Sequence, residues 1–342
     1  MRRRLCRSVL LTLHSILMLV LLAFAASLTA QKADRDNETG NATNVRGVIW
    51  RDPGQMASLN LIYGAGGKGH APNPKGTFTF LKEDMLATSP KFEIADQHGV
   101  HWKVKLGEEP QSETAASRFL WAAGYFVDED YYLAELTVTG VPTLHRGEEF
   151  VSRGGTIHGA RLERKLMGVE RLGTWDWFDN PFIDKRELNG LRVMMALLNN
   201  WDLKDVNNSI YEMGGERRYL VTDLGASFGN TGNSITRSKS APQEYADSKF
   251  VESATSDFID FVLHSRPFFL VALNVPHYLA RSRMEEVTKK VPRADAKWLG
   301  RRLSMLSDKQ IRDGFRAAGY TPEEIGVYTH AVRKRIAELN AL

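Results

Sequence analysis

Two short polar segments carry most of what this sequence says about its fold: "NNWDLKDVNN" at residues 199–208 and "YLVTDLGASFG" at residues 219–229. The first contains the pattern D-x-x-x-x-N, with Asp202 and Asn207 at its ends, and Asp223 in the second follows Asn207 by sixteen residues. A chain of average composition shows on the order of one such Asp/Asn pair by chance. The pair therefore indicates a functional site only if the elements around it also do so.

Regular elements flank both segments. An apolar stripe at helical spacing, formed by Leu188, Leu191, Met195 and Leu198, predicts a helix that ends just before the first segment. Between the two segments, "SIYEMGGERRYLV" predicts a β-hairpin with the glycines at its turn. The predicted order is thus helix, polar loop, hairpin and Asp-Leu-Gly.

That order resembles the catalytic core of the protein-kinase-like superfamily, in which a loop with a catalytic Asp and an Asn precedes a metal-binding D-F-G motif. The run "DLKDVN" is similar to the D-L-K-x-x-N of ordinary protein kinases, but Asn200 and Trp201 replace its preceding His-Arg. This departure, the short hairpin and D-L-G are more similar to the atypical branch: phosphoinositide kinases, HipA-like toxin kinases and secretory-pathway kinases. The resemblance covers residues 78–229 and implies a two-lobed α+β fold that binds ATP with Mg²⁺.

Each candidate site residue has a chemical reason. A carboxylate and an amide supply the oxygen ligands that Mg²⁺ prefers, which suits Asp223 and Asn207 as metal ligands. A carboxylate beside the incoming hydroxyl orients it and accepts its proton, which suits Asp202 as a catalytic residue. In the kinases that the chain resembles, a strand lysine braced by a helix glutamate holds the phosphates, and Lys105 and Glu113 stand in that order.

Alternatives exist for both members of this cation–carboxylate pair. Lys103 shares a strand face with Lys105, and Lys105 is preferred because it lies nearer the end of the strand and the following helix. Glu108 and Glu109 could replace Glu113, but they fall in the predicted loop rather than on the helix.

The segment "LATSPK" at residues 86–91 occupies the place of the phosphate-covering loop of a kinase. It lacks glycine, so Thr88 and Ser89 would contact phosphate through hydroxyl and backbone N–H groups. Ordinary structural roles compete with the functional ones, since Asp202 and Asn207 also suit a turn and Asp223 the end of a strand.

The segments "TFTFLKEDM" (77–85), "KFEIAD" (91–96) and "VHWKVKLG" (100–107) predict an antiparallel meander. Period-two alternation places Trp102, Val104 and Leu106 on one face of the third strand and the lysines on the other. "SETAASRFLWAAGY" (112–125) then predicts a helix capped by Ser112.

Before the meander, "SLNLIY" (58–63) predicts a strand, and "GAGGKGHAPNPKG" (64–76) predicts a flexible loop. The loop contains G-x-G-x-x-G, but the prolines that follow exclude the helix of a dinucleotide site. After Thr255, "DFIDFVLHSR" (257–266) and the later segments predict helices. A β-rich lobe at 46–186 and a mainly helical lobe at 187–342 together predict an α+β fold.

The first thirty residues differ in kind from the rest. "MRRRLCRS" is basic, and the apolar run after it ends in small residues, so residues 1–30 predict a signal peptide or an uncleaved N-terminal membrane anchor. Residues 31–45 are polar and unpatterned and predict a flexible tether. We therefore expect an extracytoplasmic location, with the membrane as a partner if the segment is not cleaved. Cys6, the only cysteine, leaves the remaining chain without a disulfide.

The net charge of +4 over 342 residues is small and dispersed, and the basic segments are interleaved with acidic or apolar residues, so no nucleic-acid partner is expected. Histidine clusters typical of zinc hydrolases are absent from the sequence. Two functions remain. The first is an exported or anchored phosphotransferase that uses ATP and Mg²⁺ on a hydroxyl of a protein, lipid or sugar. The second is a non-catalytic kinase-like binding or scaffold protein of the cell envelope.

Overall fold

The computed structural model describes residues 45–86, 89–231, 237–264 and 282–342. Outside this part lie the predicted signal or anchor at residues 1–30, the tether at residues 31–45 except its last residue, and Thr88. The chain divides after Arg46, and the unit Gly47–Leu342 contains the barrel, the described helices and the candidate site. No helix among the described residues is both long and apolar enough to cross a membrane.

The first described elements are short: strand β1 (Arg46–Val48), 3₁₀ turns at Met56–Ser58 and Gly64–Gly66, and helix α1 (Gly67–His70). The predicted strand at residues 58–63 is wrong. The Asn60 side chain accepts a hydrogen bond from the backbone of Ile62 at 3.0 Å, which turns the chain. The loop prediction for residues 64–76 is also wrong in part, because it contains α1.

A closed five-stranded barrel follows. Its strands are β2 (Phe78–Glu83), β3 (Lys91–Asp96), β4 (His101–Lys105), β5 (Asp130–Thr139) and β6 (Thr156–Arg164). The predicted antiparallel meander of β2, β3 and β4 is confirmed, and a parallel pairing of β2 with β5 closes the barrel. Trp102 and Val104 lie in the barrel core, so the alternate lysines of β4 face outward.

Helix α2 (Pro110–Ala122) connects β4 to β5. The prediction that Ser112 caps it is wrong: the helix begins at Pro110, whose fixed φ suits the first helical position, and Glu109 precedes it. Ser112 instead donates a hydrogen bond to the backbone oxygen of Gly225 at 2.7 Å. The start of α2 is thereby attached to the Asp-Leu-Gly segment.

The second half begins with strand β7 (Glu170–Gly173), helix α3 (Arg186–Leu198) and the hairpin of β8 (Asn208–Met213) and β9 (Glu216–Val221). These strands form a sheet in the order β1-β9-β8-β7. The hairpin prediction is confirmed, with Gly214 and Gly215 at positive φ in its turn. The apolar stripe predicted for α3 is buried, so that helix prediction is also confirmed.

The remaining elements are helix α4 (Pro242–Asp247), strands β10 (Val251–Ala254), β11 (Phe258–Phe261) and β12 (Val291–Pro292), and helices α5 (Arg293–Leu303), α6 (Asp308–Ala317) and α7 (Pro322–Ala341). The helix predicted at residues 257–266 is wrong where β11 lies. Ile259 and Phe261 alternate with more exposed neighbours and pair with β10, which is a strand pattern.

The described residues form two separate apolar cores. One fills the barrel, and the other packs α2, α3 and the terminal helices around aromatic side chains such as Phe228 and Tyr328. The α+β prediction is confirmed. The lobe boundary at residues 186/187 stays a prediction.

Candidate active site

Lys105 ends strand β4 and is 5% exposed. Its ammonium lies 2.7 Å from Glu109, 2.8 Å from Glu113 and 3.3 Å from Asp223. Burial disfavours the ammonium, but the Glu113, Asp223 and Glu109 carboxylates outweigh burial and raise the pKa of Lys105 above its ordinary value. The three carboxylates have oxygens within 4.8 Å of one another and enclose this ammonium, so they already hold a cation of the chain itself.

Glu113 lies on the first turn of α2 and is 1% exposed. Its second oxygen is 3.3 Å from Arg161 of β6, which also contacts Asp130 at 2.7 Å. Burial raises the pKa of Glu113, although Arg161 and Lys105 act against that shift. The two cations therefore fix helix α2 against the outer face of the barrel.

Glu109 connects three parts of the site. It contacts the Lys105 ammonium, and it also accepts hydrogen bonds from Ser89 at 3.0 Å and from Lys239 at 2.9 Å. Burial opposes its charge, but Lys105 and then Lys239 hold the pKa of Glu109 at about 2. A Cβ at Gly225 would lie 2.7 Å from this carboxylate, so the Asp-Leu-Gly backbone approaches it closely because the residue there is glycine.

The loop after α3 is shaped by its asparagines. Asn199 ends the helix in the left-handed conformation, with φ of 55°. Asn200 accepts from the backbone N–H of Asp202 at 3.2 Å and donates to the backbone oxygen of Asp223 at 3.3 Å. Asn207 donates to the backbone oxygen of Asp202 at 2.7 Å and to its carboxylate at 3.3 Å. These bonds hold the Asp202 and Asn207 side chains side by side.

The β8–β9 hairpin returns the chain to this loop. The backbone N–H groups of Thr222 and Asp223 approach the backbone oxygen of Asn207 at 2.9 and 3.4 Å. Asp223 is half-buried, with 40% of its side chain exposed. The two segments that the sequence separates by sixteen residues are therefore direct neighbours.

The donor set here fits Mg²⁺. Asn207 uses its amide nitrogen toward Asp202, which leaves its amide oxygen, and the Asp223 carboxylate has one oxygen beyond the one that faces Lys105. Among the described residues, no hydrogen bond occupies either of these two oxygens. An amide oxygen and a carboxylate oxygen are hard ligands of the kind that Mg²⁺ takes.

One cavity of about 300 Å³ joins these groups, because Lys105, Glu113, Asn207 and Asp223 all line it. Asp202 is not among the lining residues, but its carboxylate lies 3.3 Å from the amide nitrogen of Asn207, which is. Ser89 is not among the lining residues and donates a hydrogen bond to Glu109 instead. Thr88 lies outside the described residues.

Of the alternatives weighed from the sequence, Lys103 and Glu109 lie at this site, whereas Glu108 is exposed and does not contact Lys105. Lys103 lines the same cavity but pairs with Glu163 at 3.6 Å, whereas Lys105 contacts the helix glutamate. Glu109 and Glu113 both contact Lys105. The roles of all these residues stay predictions.

Some structural residues of the site were missed from the sequence. No local sequence pattern indicated Arg161, because its partners come from three different elements, β5, β6 and α2. The sequence did not indicate a role for Arg335 of α7 either. Arg335 is buried and donates to the carbonyl of Leu197 at 2.9 Å and to Asn199 at 2.8 Å, where α3 ends. Lys204, 2.8 Å from Asp202, could have been found from its place in "DLKDVN".

No protein-family model matches the chain, and no curated protein matches it. Among solved structures it is similar to the crystal structure of a Helicobacter pylori proinflammatory kinase, CtkA, at 12% sequence identity and a TM-score of 0.41. The match covers 77% of this chain and 96% of that chain.

Proposed function

We propose that this chain is a kinase-like phosphotransferase of the atypical branch that uses ATP and Mg²⁺ to phosphorylate a hydroxyl group. One observation carries the proposal: Lys105, Glu113, Asn207 and Asp223 come from four separate segments of the chain and line a single cavity. An ordinary helix-end turn or a surface ion pair does not require this convergence. Phosphoryl transfer does, because it depends on positioned cations and oxygen ligands around the phosphates.

The proposed reaction is in-line displacement at the γ-phosphorus. The acceptor oxygen forms a bond to that phosphorus, the bond to the bridging oxygen breaks, ADP leaves, and the hydroxyl proton passes to Asp202. Lys105 holds the phosphates, with Glu113 fixing its position. Asn207 and Asp223 hold Mg²⁺, which supplies neutralisation of phosphate charge. Lys204 lies beside Asp202 and adds a positive charge near the transferred group.

Replacing Asp223 with Ala tests this assignment. The variant is expected to lose the Mg²⁺-dependent rise in melting temperature that ATP gives to the wild-type protein, since a ligand that binds only the folded state raises that temperature. Asp257→Ala is the matched control, because Asp257 is exposed and lies outside the cavity lining. An undiminished Mg²⁺–ATP shift in Asp223→Ala would overturn the site assignment.

A second function, a non-catalytic kinase-like binding or scaffold protein, is favoured by the state of Lys105. Its ammonium contacts three carboxylates, so a phosphate has to displace at least one of them. The two functions differ in turnover. A scaffold binds nucleotide or nothing and forms no ADP, whereas the phosphotransferase converts Mg²⁺–ATP to ADP and loses that activity in Asp202→Asn.

We further propose that the domain works outside the cytoplasm, tethered or released by the segment at residues 1–30, so that its acceptor is an extracytoplasmic protein, lipid or sugar. The basic start and apolar run of that segment support the proposal. A reporter enzyme that is active only outside the cytoplasm, fused after residue 45, is expected to be active. Activity of a cytoplasm-only reporter at the same position would contradict it.

A further inference from the structure

Lys91 begins strand β3 and lines the same cavity as Lys105 and Asp223. Lys91 and Lys105 lie directly opposite each other in the β3–β4 register. Side chains in such positions project from the same face of a sheet, with Cβ atoms about 5 Å apart. The Asp223 carboxylate also acts on the charge of Lys91. The Lys91 ammonium therefore belongs to the end of the cavity to which the phosphates and the metal are assigned.

The two ammonium groups differ in how far the chain neutralises them. Lys105 has three carboxylates at 3.3 Å or less. Within the described part of the chain, Lys91 pairs only with Asp84, at 3.8 Å, which is too long for a hydrogen bond. The other oxygen of Asp84 accepts a hydrogen bond from the backbone N–H of Leu86 at 2.9 Å. Since 16% of the Lys91 side chain is exposed, water compensates its charge only in part.

The surroundings of Lys91 disfavour its positive charge. Burial lowers the pKa of Lys91, and the Asp84 carboxylate opposes that shift. The ammonium groups of Lys103 and Lys105 lower the pKa further, as expected for like charges on one face of a sheet. An anion that enters this end of the cavity relieves the repulsion. It reaches Lys91 without breaking a hydrogen bond of that ammonium to any described residue, whereas it has to displace a carboxylate from Lys105.

The backbone at Lys91 is fixed to both neighbouring strands. The Lys91 carbonyl accepts a hydrogen bond from the N–H of Asp84 at 2.9 Å, and the Pro90 carbonyl accepts one from the N–H of Leu106 at 3.0 Å. Lys91 is also the last residue of the segment 86–91, which contains no glycine. In kinases a glycine-rich loop covers the phosphates at this place. Here a lysine on a fixed backbone takes the position next to them.

We propose that Lys91 is a second phosphate-binding residue of the cleft, whose ammonium contacts the terminal phosphates of the donor nucleotide beside Lys105. This rests on the proposed function and adds a residue to its phosphate site. Lys105 stays paired with Glu113, and Lys91 supplies the positive charge that the chain itself does not neutralise. A lysine ammonium is a compact point charge with three donors, which suits phosphate oxygens.

The test measures dissociation constants of ATP and of inorganic tripolyphosphate, each with Mg²⁺, on the full chain. Lys91→Met is expected to weaken both ligands by a common factor of about ten to a hundred, the contribution of a hydrogen bond between charged groups. Lys82→Met is the matched control, because Lys82 lies on the adjoining strand β2, is 67% exposed and is not among the lining residues. It is expected to bind both ligands like the wild type. A loss confined to ATP would contradict a contact with the phosphates.

Urea unfolding without ligand separates this role from a structural one. Lys91→Met is expected to be at least as stable as the wild type, because an apolar chain replaces an ammonium that burial disfavours. A less stable variant would show that Lys91 and Asp84 form a structural ion pair, and would overturn the inference. Wild-type binding of Mg²⁺–ATP by Lys91→Met, with binding lost in Asp223→Ala, would also overturn it and leave the proposed function intact. A wild-type protein that binds neither ligand would overturn both.

Discussion

Replacing Lys105 with Met removes the ammonium that three carboxylates share. Glu113 is 1% exposed and keeps only the 3.3 Å contact with Arg161. Leaving one member of a buried ion pair without its partner costs about 3 kcal/mol or more of the free energy of unfolding. For the folded unit Gly47–Leu342, that corresponds to a fall of roughly 5 °C in melting temperature. Urea unfolding at pH 7, followed by circular dichroism, measures the difference directly.

The pH dependence of Lys105→Met has a definite sign. Loss of the ammonium raises the pKa of Glu113 further above its unfolded value. A carboxyl with a raised folded pKa favours folding at low pH and loses that contribution as the pH rises through the folded pKa. The deficit of the variant relative to wild type is therefore expected to shrink as the pH falls from 7 toward about 4. A deficit that grows with acid would contradict the reasoning.

Two comparisons sharpen the result. Lys103→Met removes a partly exposed lysine 3.6 Å from its partner, and we expect it to lower the free energy of unfolding by less than about 1 kcal/mol. The double variant Lys105→Met/Glu113→Gln is expected to be more stable at pH 7 than Lys105→Met alone, because it removes the stranded charge. Equal costs for the two lysine variants, or a double variant less stable than Lys105→Met, would refute the assignment of Lys105 as the buried pairing cation.

Three further outcomes are expected. Burial raises the pKa of Asp130 to about 7. Its contribution to the free energy of unfolding is therefore full at low pH and is lost as the pH rises toward 7. Asp130→Asn should flatten the pH dependence of the free energy of unfolding between about pH 4 and 7. Gly225→Ala should lower the free energy of unfolding by about 1–3 kcal/mol and weaken nucleotide binding. Gly326→Ala on α7, whose new Cβ would have no atom within 4 Å, should raise the free energy of unfolding by about 0.5–1 kcal/mol, measured by thermal unfolding. Arg335→Met leaves the carbonyls at the end of α3 unpaired and should lower the free energy of unfolding in urea by about 3 kcal/mol. Lys334→Met, at an exposed position of the same helix, should change it by close to zero. Equal losses in the two variants would contradict this role of Arg335.

The sequence predicted best where local pattern and burial agree. The meander, the β8–β9 hairpin and helix α3 followed from alternation, turn glycines and an apolar stripe. It failed at residues 58–63, where Asn60 turns the chain, and at Phe258–Phe261. In the second case a short apolar run fits either a helix or a strand, and pairing with β10 and β12 decides between them.

By itself, the sequence determined which chemical groups are present and their order along the chain: the lysine at the end of a strand, the polar loop after a helix, and Asp-Leu-Gly after a hairpin. Only the tertiary structure decided that Lys105 contacts both Glu109 and Glu113, that Arg161 braces the latter, and that β2 pairs with β5 to close the barrel. The physical reason is that local patterns arise from interactions between residues close in sequence. Ion pairs between distant elements and the closure of a barrel depend on packing of the whole chain, which no local spacing encodes.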